Sequence, residues 1–204
     1  MFEFNKDFKA GLMPSPKDDR DHVFKSTMPS FSEKYALPDM YDVYNQGNSY
    51  ICGAVCIAYA LSWLRGLKSG WKKTLIDPLS IYKERPNIGE GVVLRNMFKV
   101  LKNKPAIGID LKYYSRVNDI DAAKGAILMN GPVIIGTYAY NENDFWKPSG
   151  FEDKKGGHAT ILTGWDKDGF VLQNSWGTSW KNKGKTIFPY SDFKYVIEAW
   201  TLFS

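Results

Sequence analysis

The hydrophobic pattern of this chain changes period once, at Asn130-Gly131-Pro132, and that switch decides most of what the chain can fold into. Before it, apolar residues recur as they do on helices. Cys52, Cys56, Tyr59 and Trp63 follow one another at helical spacing, Asn48 or Ser49 is placed to cap, and almost no charge intervenes before Arg65. A helix with so little charge is buried on most sides. Asp77-Pro78 supplies an N-cap and a proline at the first helical position, so a short second helix follows. Residues 92–102 put Val93, Met97 and Leu101 on one face, and a fourth helix over 119–129 is stopped at Asn130-Gly131-Pro132. Beyond the switch, residues 133–140 and 159–165 are rich in β-formers. Asp166-Lys167-Asp168-Gly169 turns the chain into 170–174 as a hairpin, and 185–188 and 195–203 complete a sheet. Helices first and antiparallel strands second predict an α+β fold with two unlike lobes and a ligand cleft between them.

Composition excludes several classes of function. At 204 residues with 44% hydrophobic and 15% aromatic residues, the chain can bury a real core and is not disordered. Its 27 basic residues are spread among 22 acidic ones, with no basic run longer than two, so the net charge of +5 favours solubility and predicts no nucleic-acid partner. The longest apolar stretch, 51–64, is too short to span a bilayer, and no membrane partner is expected. Two cysteines one helical turn apart cannot staple distant segments. With only two histidines and no Cys-x-x-Cys, no metal or other cofactor is expected. Residues 1–10 carry charge where a secretory signal needs an apolar run, which leaves the compartment open and favours the cytoplasm or a host-cell interior. Residues 11–38 are rich in prolines and aspartates and read as an extended arm over the surface.

The chemistry lies in three places. A thiol at a helix N-terminus, as Cys52 is predicted to be, feels the positive end of the helix dipole, which favours thiolate. An imidazole beside it can hold the proton as imidazolium. His158 stands in Gly156-Gly157-His158-Ala159, where the glycines admit another backbone and a strand follows. Asn174 ends the next strand, where it can accept the histidine's other N–H across the hairpin. Cys, His and Asn in that order suit nucleophilic acyl transfer.

Gln46-Gly47 six residues before Cys52, Gly157-His158-Ala159, and Asn174-Ser175-Trp176-Gly177-Thr178-Ser179-Trp180 together resemble the signature blocks of papain-like cysteine peptidases. Gly11-Leu12-Met13-Pro14 with residues 18–21, and residues 78–101, are similar to compact bacterial and viral cathepsin-like members, so the likeness spans nearly the whole chain. It implies a papain-like fold, a helical lobe against an antiparallel β-barrel-like lobe, and a monomeric thiol protease acting on peptides or proteins. It also implies roles. Cys52 is the nucleophile of a cysteine endopeptidase, His158 its general base and acid, and Asn174 the residue that orients His158. Gln46 becomes an oxyanion donor together with the Cys52 N–H. Trp176 covers the His158–Asn174 contact, Trp180 lines the leaving-group side, and Gly91 and Gly157 pair with substrate main chain.

The departures from the family pattern are specific. Ser49 stands where many members carry a disulfide cysteine, and Gly53 replaces the usual aromatic after the nucleophile. His158 lies 106 residues beyond Cys52, against about 130–150 in papain and cathepsins, so the lobes are trimmed. Cys52 keeps the offset from Gln46, whereas Cys56 lies a turn deeper among Ala54, Ile57 and Tyr59, where a thiol is inert. Residues 1–36 are expected to form an arm that either restrains the enzyme as in a zymogen or completes the strand lobe, and residues 37–204 the catalytic domain. Two alternatives stand beside this reading. One is an inactive papain-like peptide-binding protein. The other is a relative of bacteriocin-processing peptidases, which the Asn174-Ser175-Trp176-Gly177 run disfavours because their third residue is an aspartate.

Overall fold

A computed structural model describes residues 9–71, 74–102, 111–150 and 154–204. The first eight residues of the expected arm lie outside that range. The elements run β1 (Tyr35–Ala36), α1 (Cys52–Ser69), α2 (Pro78–Lys83), α3 (Leu94–Lys102), β2 (Tyr113–Arg116), α4 (Ile120–Asn130), β3 (Val133–Ala139), β4 (Gly156–Trp165), β5 (Gly169–Gln173), β6 (Lys185–Pro189), a 3-10 helix (Tyr190–Tyr195) and β7 (Val196–Phe203). The described strands form one antiparallel sheet in the order β2-β7-β3-β4-β5-β6, with β1 added to β4.

Local chemistry sets the boundaries. Asp77 caps α2 by accepting from the N–H groups of Leu79 (3.0 Å) and Ser80 (3.1 Å), and Asp119 caps α4 by accepting from Ala122 N–H at 2.7 Å. Gly131 ends α4 at a φ of 93°, and Trp63 packs so closely that a Cβ there would lie 2.0 Å from its ring. The expected cap of α1 is not found. Neither Asn48 nor Ser49 caps it; Ile51 occupies the N-cap without a side-chain bond, because the Ser49 hydroxyl instead donates to the Gln46 carbonyl at 2.5 Å.

The strands bury both faces. Ile134, Ala159, Ile161, Trp200 and Leu202 face a core built around α1, α2 and α3. Their neighbours Val133, Ile135, Leu162 and Ala199 face a second core with Phe145, Trp146, Trp165, Phe170 and Phe188. Alternate residues thus serve two hydrophobic clusters, which fixes the register of β3, β4 and β7. The N-terminus of α1 meets the N-terminal part of β4, and this brings Cys52 against the backbone N–H of Ala159, the residue after His158.

The arm divides into two stretches with different partners. Its later half belongs to the sheet lobe: Tyr35 and Ala36 pair with Trp165 and Gly164, Phe31 meets the Trp165 ring edge-on at 5.9 Å, and Phe24 lies 6.2 Å from Phe203. The earlier half crosses the cleft.

Candidate active site

Cys52 is the first residue of α1 and is fully buried. Burial pushes its thiol above the ordinary cysteine range, while the backbone N–H groups of Ala159, Gly11, Gly53 and Cys52 itself pull the other way. Cys56, a turn deeper, is pushed up further by burial and by Cys52. His158 is also fully buried, and burial drives its imidazole down to about 4, with Asn174 opposing the shift. Burial thus opposes charge on both groups, whereas the position of Cys52 at the start of α1 favours thiolate. Gly11 of the arm lies against the sulfur, and Trp176 and Phe145 pack on the imidazole.

The tautomer of His158 follows from its neighbours. Asn174 Oδ1 accepts from Ser175 N–H at 2.7 Å, which identifies it as the amide oxygen, and it lies 2.8 Å from His158 Nε2. The Nε2 must then carry the hydrogen, leaving Nδ1 as the ring's acceptor for a proton. Trp176 stacks on the imidazole at 4.8 Å and 26°, and Phe145 meets it edge-on at 5.1 Å, so the His158–Asn174 contact sits in a dry aromatic box. Trp180 stands behind Trp176, 5.7 Å away and 1% exposed, with its indole N–H on the Glu142 carbonyl.

Gln46 is held at both ends. Its backbone N–H donates to Ser175 O at 2.8 Å, and its Oε1 accepts from the Ser175 hydroxyl at 2.6 Å. Nε2 is thereby aimed the other way, at the carbonyls of Ser49 (2.7 Å) and Lys9 (3.1 Å). In the sequence Ser175 is one residue of a motif; its role as the anchor of Gln46 needs a contact across 129 residues and has no local signal.

A peptide already lies in this site. Lys9 places its carbonyl on Gln46, Gly11 aims its N–H at the Cys52 sulfur, and Leu12 N–H donates to Gly157 O at 2.8 Å. On the other wall, Val92 N–H donates to Gly11 O at 2.7 Å and Met13 N–H to Val92 O at 3.0 Å. The backbone partner on that side is Val92, one residue beyond Gly91; Gly91 instead leaves room, since a Cβ there would lie 3.0 Å from both Gly11 O and Met13 Cγ. Gly157 allows the same approach opposite, where a Cβ would lie 2.3 Å from Leu12 O. The Leu12 side chain, 3% exposed, fills the space that Gly136 leaves on β3. Among the described residues, no group of three or more His, Cys, Asp or Glu side chains is placed to hold a metal, and no helix is long and apolar enough to cross a membrane.

This constellation can be compared with known proteins. Residues 90–192, half of the chain, match the family model of papain family cysteine proteases. The chain belongs to that family. The matched region contains His158 and Asn174 and begins after Gln46 and Cys52. An uncharacterised peptidase C1-like protein of Acanthamoeba polyphaga mimivirus is 30% identical over 112 residues, which are 49% of this chain and 35% of that protein. The match thus spans about a third of the viral protein's length. Among solved structures, xylellain, a cysteine protease from Xylella fastidiosa, has a TM-score of 0.82 at 22% identity, covering 99% of this chain and 98% of its own. Procathepsin B S9 from Trypanosoma congolense has a TM-score of 0.76 at 14% identity, covering 95% and 86%. These two likenesses establish the papain-like α+β fold.

Proposed function

We propose that this papain-family chain is a cysteine endopeptidase, with Cys52 as nucleophile, His158 as general base and then acid, Asn174 orienting His158, and Gln46 stabilising the oxyanion. The observation that carries the reading is the peptide in the cleft, whose main chain is gripped from both walls while one of its carbonyls sits on Gln46 Nε2. A site that holds a backbone in this way needs only a scissile carbonyl over the sulfur to act. His158 Nδ1 takes the thiol proton and the sulfur attacks the carbonyl carbon. Gln46 Nε2 and the Cys52 N–H receive the developing oxyanion, and the amine leaves with the proton from His158. Water then attacks the thioester with His158 again as base, which releases the acid and restores the thiol. Gly157 and Val92 hold the substrate main chain beside Gly91, and Trp176 keeps water from the His158–Asn174 bond, with Trp180 packed behind it.

In the same reading, residues 9–21 restrain the enzyme. They occupy the oxyanion donor, the sulfur and the main-chain partners at once, and they put a backbone N–H rather than a carbonyl carbon against the sulfur. Residues 22–36 complete the sheet lobe, so truncation at residue 37 removes β1 along with the restraint and is a poor test of it.

The test is to incubate the protein with a mixed peptide library and map the products by mass spectrometry, with Cys52→Ala in parallel. Internal cleavages lost in Cys52→Ala are expected. Trimming from one terminus only would overturn endopeptidase action, and tight peptide binding without turnover, persisting when the arm is loosened, would favour an inactive binding protein.

A further inference from the structure

The arm is tied down well away from the sulfur by a clasp of charges. Arg95 on α3, 5% exposed, points Nη1 at Asp18 Oδ2 (3.1 Å) and at both oxygens of Asp21 (3.2 Å each). Arg116 at the end of β2 donates Nε–H to Asp21 Oδ2 at 3.0 Å, and its Nη1 stands 4.0 Å from Glu198 Oε2. Two guanidinium groups from two different elements therefore converge on two arm carboxylates. On α3 the stripe continues: Arg95, Lys99 and Lys102 stand at helical spacing on one face, while Leu94, Met97, Phe98 and Leu101 are buried in the core. Lys99 and Lys102 line a cavity of about 410 Å³ together with Arg20, Asp21, His22, Tyr113 and Tyr114, continuous with the clasp. With Asp18 and Asp21 gone, Arg95 and Arg116 would lose these carboxylates, and among the described residues Glu198 would remain beside Arg116.

We propose that α3 and β2 form an exosite for acidic polypeptide segments, that Asp18 and Asp21 are its resident occupants, and that an acidic segment supplied in trans displaces them and opens the cleft. The inference rests on reading residues 9–21 as a restraint. Its ligand is a polypeptide rather than another polyanion because the site also binds main chain. Arg95 donates to the Pro16 carbonyl and Glu198 Oε1 accepts from Ser15 N–H at 3.2 Å, both within the displaced stretch, while residues 22–24 keep their place on β2, where Arg116 N–H donates to His22 O at 2.7 Å. Carboxylates on paired guanidinium groups supply the charge-assisted bonds, and Arg95 and Glu198 supply the main-chain contacts. Occupying the exosite removes the arm's anchor without touching Cys52, so the cleft population shifts toward open.

The experiment uses the full chain, a short peptide of alternating Asp and Gly, and its Asn-Gly counterpart. Binding is read by fluorescence anisotropy and cleft opening by the rate at which iodoacetamide labels Cys52. The Asp peptide should speed labelling about tenfold or more at saturation, and the Asn peptide should not. Lys99→Glu with Lys102→Glu should weaken Asp-peptide binding about tenfold, and Asp18→Asn with Asp21→Asn should tighten it by a similar factor while speeding labelling unaided. If the arm double variant labels faster but the Asp peptide has no effect, the exosite is wrong and the restraint stands. If the arm double variant labels at the wild-type rate, the restraint itself is wrong. A sulfated polysaccharide that opens the cleft where the Asp peptide does not would overturn the choice of polypeptide.

Discussion

Leu12→Ala should open the cleft. Leu12 is 3% exposed, its side chain occupies the space beside Gly136, and its main chain bridges Val92 and Gly157. The substitution removes three carbons, at about 0.8 kcal/mol each by transfer, and buried Leu→Ala changes run about 2–5 kcal/mol. The pocket opens toward solvent once the arm moves, so the low end, about 2–3 kcal/mol, is appropriate, and the open fraction should rise by roughly 30- to 150-fold. The assay is second-order labelling of Cys52 by iodoacetamide at pH 7, with hydrolysis of a short fluorogenic peptide measured alongside. Both should rise together. Leu12→Met, which conserves volume, should stay within about threefold of wild type. The reasoning is refuted if Leu12→Ala lowers the thermal midpoint like an ordinary core truncation while Cys52 labels at the wild-type rate. Leu12 would then be a fixed part of the core rather than a plug.

Acidification should destabilise the closed form. Burial holds His158 at about 4, below the ordinary histidine value of 6.5, so its contribution is fully present above pH 6.5 and is lost as pH falls toward 4. Crossing that window costs about 3 kcal/mol. Thermal midpoints measured from pH 7 to 4 should show this slope in wild type and a shallower one in His158→Gln. Gln46→Ala should lower kcat by about 10²–10³ with little change in KM, and Ser175→Ala, which frees the Gln46 Oε1, should lower it about tenfold. Single-turnover kinetics check both, and a kcat within threefold of wild type in Gln46→Ala would contradict the oxyanion role. His158→Ala should abolish turnover, whereas Asn174→Ala should retain part of it, because it removes orientation and leaves the proton carrier.

The fold was legible wherever local chemistry decides it. The caps at Asp77 and Asp119, the stop at Gly131 and the change from helical to strand period are each written within a few residues, and the elements follow them closely. The proximity of His158 and Asn174 was legible because a hairpin joins their strands. What was not legible depends on distant partners. Ser49 reads as a helix cap but is engaged by Gln46, and Ser175 reads as a motif letter but fixes Gln46 from the far end of the chain. β2, only four residues long, forms because β7 offers an edge. The burial of Cys52 and His158 is likewise set by distant packing, since Gly11 meets the sulfur, and Phe145 and Trp176 meet the imidazole. Proline and aspartate in the arm announce extended backbone, but nothing local says that Leu12 fills a pocket or that Asp21 meets two arginines.

The most direct test of the central claim is to locate the covalent intermediate. A peptidyl chloromethyl ketone should be added to wild type, Cys52→Ala and Cys56→Ser, each in the Leu12→Ala background so that the cleft is accessible, and the adduct mapped by peptide mass spectrometry. The account predicts a single adduct on Cys52 in wild type and in Cys56→Ser, with peptide hydrolysis retained in both, and neither adduct nor hydrolysis in Cys52→Ala. An adduct on Cys56, or hydrolysis that survives in Cys52→Ala, would contradict it.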